Sequence, residues 1–315
     1  LPMPPTQFFS GDMIADRRAD YARMLAEGGD PVAAVELMEQ ALELVPDWAA
    51  GWLRLADYAE RSGQPAKAVP ALERVLMLDP EDIFGASLKL AVLGAAETPD
   101  SPPIRYVEAL FDEFAERFDE TLVDRLDYVV PQELTALILD HAASRSFACA
   151  VDLGCGTGLL GQEIRAKVTR LEGFDLSANM LSKAEEKGFY HHLARADLSL
   201  DLAASGLFED GLVPGRADLV TAADVLMYLG DLSAPFALAS ALAAPGAFFA
   251  FSVEDAAADD GFVLRPSLRF AHSEIYVRDQ LSAHGFTVID VRRTTIRMDA
   301  GEPVFGILFL AERPA

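Results

Sequence analysis

The chain has 315 residues, long for a single core, and 51% of them are hydrophobic, so two packed domains are expected. Fifty acidic residues against 26 basic ones give a formal net charge of −24 with no Lys/Arg cluster, which disfavours a nucleic-acid partner. Cys149 and Cys155, the only two cysteines, suit reduced thiols; no basic stretch leads into an apolar run near Leu1, and no apolar run could span a bilayer, so a soluble cytoplasmic protein without a membrane partner is expected.

Taken in chain order, the first hundred residues repeat. Pro46 and Pro80 stand 34 residues apart, and the same offset links Gly29 with Gly63, Ala22 with Ala56, Ala34 with Ala68, Val35 with Val69 and Leu44 with Leu78. Small alanines let antiparallel helices approach closely, the glycines end the first helix of each pair, and the prolines end the second. Trp52, Leu55 and Ala56 give a large-and-small opening, whereas Arg18 stands at the Trp position of the first copy. The period and residues resemble a tetratricopeptide array of two repeats plus a lone helix at about Ile83–Leu93, an all-α helical-hairpin domain over 1–98. The alternative is an undistinguished helical bundle. Such arrays serve a protein partner or self-association, and the sequence does not choose between them.

Thr98–Pro103 carries three prolines and reads as a linker. The following helix is apolar at 107, 110, 111, 114 and 118, one stripe. Phe111–Asp119 resembles the segment ahead of many small-molecule methyltransferase domains, where it forms a lid over the cofactor. Phe118 stands where Tyr is common there. The resemblance makes residues 99–140 a linker and helical lid, with Phe118 against the cofactor; a helix simply packed on the sheet is the alternative.

Phe147–Leu153 is a short buried strand running into Gly154-Cys155-Gly156-Thr157-Gly158 and then a helix start at Leu159. Strand, glycine turn and helix N-terminus together make a ligand cradle. The spacing Gly-x-Gly-x-Gly lacks the glycine at 159 that a dinucleotide site would need. Asp152, two residues before the first glycine, would repel a pyrophosphate but suits a cationic amino-acid end. Asp175 ends the next strand, where a carboxylate accepts ribose hydroxyls. That last feature also occurs in nucleotide dehydrogenases and supports the fold more than the ligand.

The continuation Asp175-Leu176-Ser177-Ala178-Asn179-Met180-Leu181 is similar to the Asp-x-Ser-x-x-Met-Leu signature of class I methyltransferases. The chain is identified on these motifs as resembling an S-adenosylmethionine-dependent methyltransferase. The resemblance implies an α/β catalytic domain over 141–315 with a Rossmann-like, seven-stranded mixed sheet of order 3-2-1-4-5-7-6. It implies S-adenosylmethionine as cofactor and S-adenosylhomocysteine as product. Leu176 and Met180 would line the adenine pocket, and Ala196-Asp197-Leu198 would supply the acceptor for the adenine amino group. Asp152, Gly154, Cys155, Gly156, Gly158, Asp175 and Ala223 complete the expected cofactor set.

Methyl transfer needs near-attack geometry in a dry pocket, and a base only if the acceptor must lose a proton. Tyr228 and Asp224 at the end of the fourth strand, and His272 at the rim before the last helix, are the candidates. Asp224 could equally cap a turn, and His272 could equally make a structural hydrogen bond. The remaining histidines read as surface residues, and no grouping has metal-site spacing, so no metal is expected. The expected acceptor is an oxygen or nitrogen of a small molecule, carrier-bound or biosynthetic. A protein methyltransferase recruiting substrate through the repeats, or a cofactor-binding scaffold without turnover, are the alternatives.

Overall fold

Helix α1 (Met13–Glu27) opens on Asp12, whose carboxylate accepts from the amides of Ile14 and Ala15 at 2.8 and 2.9 Å. Helix α2 (Pro31–Leu44) is capped by Asp30 and begins on a proline, which suits a first turn that needs no donor. Helices α3 (Ala49–Arg61) and α4 (Pro65–Leu78) repeat the pair, and α5 (Ala86–Val92) and α6 (Ile104–Phe114) follow. Ala15, Ala19, Ala22 and Ala26 form a fully buried small-residue stripe on α1, and Ala34, Ala56 and Ala68 are equally sealed. Arg18 donates to the carbonyl of Gln40 at 2.7 Å, tying α1 to α2, while Trp52 Nε1 donates to the carbonyl of Pro46. The lone helix starts at Ala86, three residues later than expected. Asp79 and Asp82 take the amides of Ile83 and Ala86, and this side-chain capping holds 83–85 in a turn.

The computed structural model describes residues 9–115, 128–142, 144–257, 261–299 and 301–315. It divides into two compact units, residues 1–113 with 266–268, and residues 114–265 with 269–315. Helix α6 therefore groups with the repeats; Tyr106 packs its ring against Gly85, and Arg105 pairs with Glu81. Phe118 and the end of the lid-like segment lie outside the described residues.

The second unit begins with α7 (Val130–Ala142) and continues β1 (Phe147–Leu153), α8 (Leu159–Ile164), β2 (Val168–Asp175), α9 (Ala178–Lys187), β3 (His192–Arg195) and β4 (Ala217–Ala222). Then come α10 (Ser233–Leu242), β5 (Ala243–Asp255), β6 (Phe262–Leu264), β7 (Phe270–His272), α11 (Glu274–Ala283), β8 (Thr287–Asp299) and β9 (Glu302–Glu312). Strands β3, β2, β1, β4 and β5 lie side by side and parallel; β9 pairs antiparallel with β5, and β8 with β9. That is the expected order 3-2-1-4-5-7-6, with β9 and β8 as its last two members. The expected count of seven is short by a hairpin: β6 and β7 are antiparallel, and β7 adds to the far end of β5 through Glu254–Ala271 and Asp255–His272. Both sheet faces are covered, Val151 and Phe249 in one apolar cluster, Ala150 and Leu219 in the other, so the strands read as apolar runs rather than alternation. The loops after β1, β2 and β4 gather at the carboxyl ends of the parallel strands, where open α/β sheets place ligands.

Candidate active site

Strand β1 delivers Asp152 and then the turn. Gly154, Gly156 and Gly158 have φ of 64, 54 and 88°, values only glycine adopts without strain. A side chain at Gly154 would overlap Val225. The Cys155 amide donates to the carbonyl of Phe174, and the Gly156 amide donates to Asp175 Oδ2 at 2.8 Å, so β2 holds the turn from the side. Asp175 Oδ1 accepts from the Ser177 amide at 2.9 Å, and Ser177 Oγ caps α9 by accepting from the Met180 amide. Cys155 is buried and its thiol pushed well up by desolvation, which makes it a filler of the turn, not a nucleophile. Met180 is fully buried, Ala196 and Leu198 nearly so, and Leu176 is half-buried.

Asp197 follows β3. Its Oδ1 accepts from the amide and hydroxyl of Ser199, whereas Oδ2 is buried without a partner among the described residues. Asp152 is 1% exposed and, among the described residues, its side-chain donors are the neutral hydroxyls of Tyr190 and Thr221. An orphaned buried acceptor on Asp197 fits an adenine amino donor, and a buried carboxylate without a counter-charge fits a cationic amino-acid end. The residues present therefore suit S-adenosylmethionine.

On the opposite side of the turn, Asp224 follows β4 in the left-handed region, φ 53°, with its amide donating to Ser252 Oγ at 2.8 Å. Ala223 beside it is half-buried. Arg297 of β8 donates from Nη1 to both Asp224 oxygens at 2.7 and 2.8 Å, and from Nη2 to Glu254. Arg269 donates to Asp299 at 2.9 Å and lies in the field of Tyr228, Glu254 and Asp224. Buried Tyr128 has its phenol pushed well up, first by desolvation and then by the charge of Asp224, and it also feels Asp152. Tyr228 and Asp224 thus belong to one charged cluster beside the glycine turn. Sequence reasoning missed Arg297, Glu254, Arg269 and Tyr128; an arginine set among the Thr and Ile of a strand was the one available signal.

His272 is placed differently from the expected rim base. It is fully buried, its Nε2 lies 2.9 and 3.0 Å from the carbonyls of Leu229 and Gly230, and its ring stacks on Tyr276. Burial pushes it down to about 4, so the imidazole is neutral and donates to those carbonyls. The structural hydrogen bond is the alternative this geometry supports, because β7 tucks the ring beneath the 229–230 loop. Among the described residues no group of His, Cys, Asp and Glu could hold a metal, and no helix is long and apolar enough to cross a membrane.

The methyltransferase domain family matches residues 124–291, and the tetratricopeptide repeat family matches residues 25–92. The chain belongs to the methyltransferase domain family. A tetratricopeptide-repeat region precedes the methyltransferase domain. It is 32% identical over 106 residues to the ubiquinone biosynthesis O-methyltransferase of Methylococcus capsulatus, a match covering 33% of this chain and 42% of that protein. The chain therefore spans less than half the length of that relative. It is also similar to the solved 1,6-didemethyltoxoflavin-N1-methyltransferase of Burkholderia thailandensis, with TM-score 0.50 and 20% identity over 70% of this chain and 94% of that one. That structure contains 1,6-didemethyltoxoflavin and S-adenosylhomocysteine.

Proposed function

We propose that the protein methylates an oxygen or nitrogen of a small-molecule acceptor, carrier-bound or biosynthetic, with Asp224 as the group that takes up the acceptor's proton. The carrying observation is the placement of Asp224 at the carboxyl end of β4, held on Arg297 and beside the buried phenol of Tyr128, which feels both Asp224 and Asp152. S-adenosylmethionine, when bound, supplies a methyl group on a sulfonium. The glycine turn, Asp175 and Asp197 would hold the nucleoside end, and Asp152 would take the amino-acid end. The methyl carbon–sulfur bond would break, with its electron pair left on sulfur and S-adenosylhomocysteine as leaving group, as the acceptor's lone pair bonds the methyl carbon, and the Asp224 carboxylate would take up the proton the acceptor sheds. Tyr228 stands in the same cluster as an orienting hydroxyl for the acceptor. The likeness to an O-methyltransferase supports oxygen as the acceptor atom.

The tetratricopeptide region suits a protein partner, so the test separates small molecules from proteins. Purified protein is incubated with methyl-labelled S-adenosylmethionine and a fractionated extract. Label in the small-molecule fraction, with matching release of S-adenosylhomocysteine, is expected. Label confined to protein would favour recruitment through the repeats, and no release from any fraction would leave a binding scaffold.

A further inference from the structure

Tyr190 lies between α9 and β3, remote in sequence from the glycine turn, yet its hydroxyl donates to Asp152 Oδ2 at 2.8 Å. Thr221 Oγ1 of β4 donates to the other oxygen, also at 2.8 Å. Among the described residues those two bonds are all that Asp152 receives from side chains, and both donors are neutral. Among the described residues the ionisable groups that interact with it are Asp175, Cys155, Tyr128 and Tyr190 itself, none of them cationic. Desolvation accordingly pushes Asp152 up to about 6, against the opposing pull of the two hydroxyls.

The route by which Tyr190 reaches Asp152 is built from glycines. A Cβ at Gly158 in the turn, at Gly161 in α8 or at Gly173 in β2 would overlap the Tyr190 ring in each case. Three elements therefore leave out a side chain at the places where one phenol passes. Gly158, expected from sequence to line the cofactor site, also serves this slot. The ring fills the space behind the turn, and its hydroxyl ends on a buried carboxylate that has no cationic partner among the described residues.

We propose that Tyr190 is the positioning residue of the cofactor site: its hydroxyl fixes the Asp152 carboxylate to receive the cationic amino group of the methyl donor, while its ring supports the glycine turn. The proposal rests on the methyltransferase reading. The incoming ammonium supplies the counter-charge that the described residues do not, and ligands without an amino-acid end gain nothing from the arrangement.

The experiment compares S-adenosylhomocysteine with 5′-methylthioadenosine, the same nucleoside thioether without the amino acid, by titration calorimetry. Tyr190→Phe keeps the ring and removes the hydroxyl. It should weaken S-adenosylhomocysteine by roughly ten- to a hundredfold, as for loss of a hydrogen bond to a charged group, and leave 5′-methylthioadenosine within about twofold. Unchanged S-adenosylhomocysteine affinity, or equal weakening of both ligands, would overturn the assignment. A second measurement needs no variant: near pH 6, in buffers of different ionisation enthalpy, S-adenosylhomocysteine should release a fraction of a proton on binding and 5′-methylthioadenosine none. Equal proton release by the two ligands, or none by either, would overturn it as well. If the unaltered protein binds neither ligand, the methyltransferase reading fails first, an outcome distinct from the others.

Discussion

The guanidinium of Arg297 shares one nitrogen between the two carboxylate oxygens of Asp224, at 2.7 and 2.8 Å, and gives its other terminal nitrogen to Glu254. Three elements meet there: the loop after β4, the end of β5, and β8. The side chains are 2% exposed for Arg297, 3% for Glu254 and 9% for Asp224, so water does little to screen them. Removing one partner of such a cluster leaves uncompensated buried charge. Arg297→Met should cost about 3–5 kcal/mol in urea unfolding, and adding Glu254→Gln should recover part of it. A loss below about 1 kcal/mol would mean that the carboxylates find other partners.

Asp224 itself is predicted to act in turnover rather than in cofactor binding. Asp224→Asn keeps the shape and one acceptor oxygen but cannot take up a proton. With an acceptor in hand, it should lower kcat by roughly 10²–10⁴-fold, the usual worth of a positioned base, with S-adenosylhomocysteine affinity within about twofold. Retained kcat would assign Asp224 to capping alone.

Asp197 offers a selectivity test. Its Oδ2 is buried and unpartnered among the described residues, an acceptor waiting for a donor. An adenine amino group satisfies it; the carbonyl of a hypoxanthine base would not. S-adenosylhomocysteine should therefore bind more tightly than S-inosylhomocysteine by about tenfold or more. Asp197→Asn should narrow that ratio. Equal binding of the two ligands to the unaltered protein would remove Asp197 from the base-reading role.

Two buried titrating groups predict opposite pH effects on stability. His272 is held at about 4 in the fold against 6.5 in the unfolded chain, so its stabilisation is present above pH 6.5 and lost as pH falls towards 4. The loss is on the order of 3 kcal/mol, taken from the shift. Asp152 is raised from 3.8 to about 6; the folded protein keeps the proton longer, so this contribution is present at low pH and lost as pH rises through 3.8 to 6. His272→Gln should remove the first effect and make the protein comparatively more acid-stable. Asp152→Asn should remove the second. Parallel stability profiles for both variants and the parent between pH 4 and 7 would contradict these assignments.

How much of this was legible in the sequence depended on how local the physics is. The repeat period marked the helical hairpins, and Pro31, Pro65, Gly29 and Gly63 lie at their ends because caps act on adjacent backbone. Ser273 caps α11 by accepting from the Tyr276 amide, for the same reason. The β1 turn and its acidic neighbours were legible because strand, turn and helix start are contiguous. Arg297 was not. Beta-strand alternation would bury Ile296 and expose Arg297, but a register irregularity between Thr295 and Arg297 lets both turn inward. Tyr190 was equally hidden, since its partner Asp152 and its three glycines lie in other elements. His272 was misjudged because its place before the last helix is visible in sequence, whereas the β6–β7 hairpin that buries it is not.

A last prediction concerns the helical unit. Gly51 is buried in the first turn of α3, and a Cβ there would overlap the Trp48 ring and come within 3.0 Å of Leu42. Helix propensity alone favours Gly51→Ala by about 1 kcal/mol. Trp48 is itself 5% exposed with Arg54 stacked on it, so the ring has little room to move, and overpacking of this kind costs about 1–3 kcal/mol. Gly51→Ala should therefore destabilise the protein in urea unfolding, against the propensity scale. Trp48→Leu opens the space, so the double variant should be more stable than the two single losses added together, with a coupling of about 1 kcal/mol. Strict additivity would show that Gly51 answers to something other than the Trp48 ring.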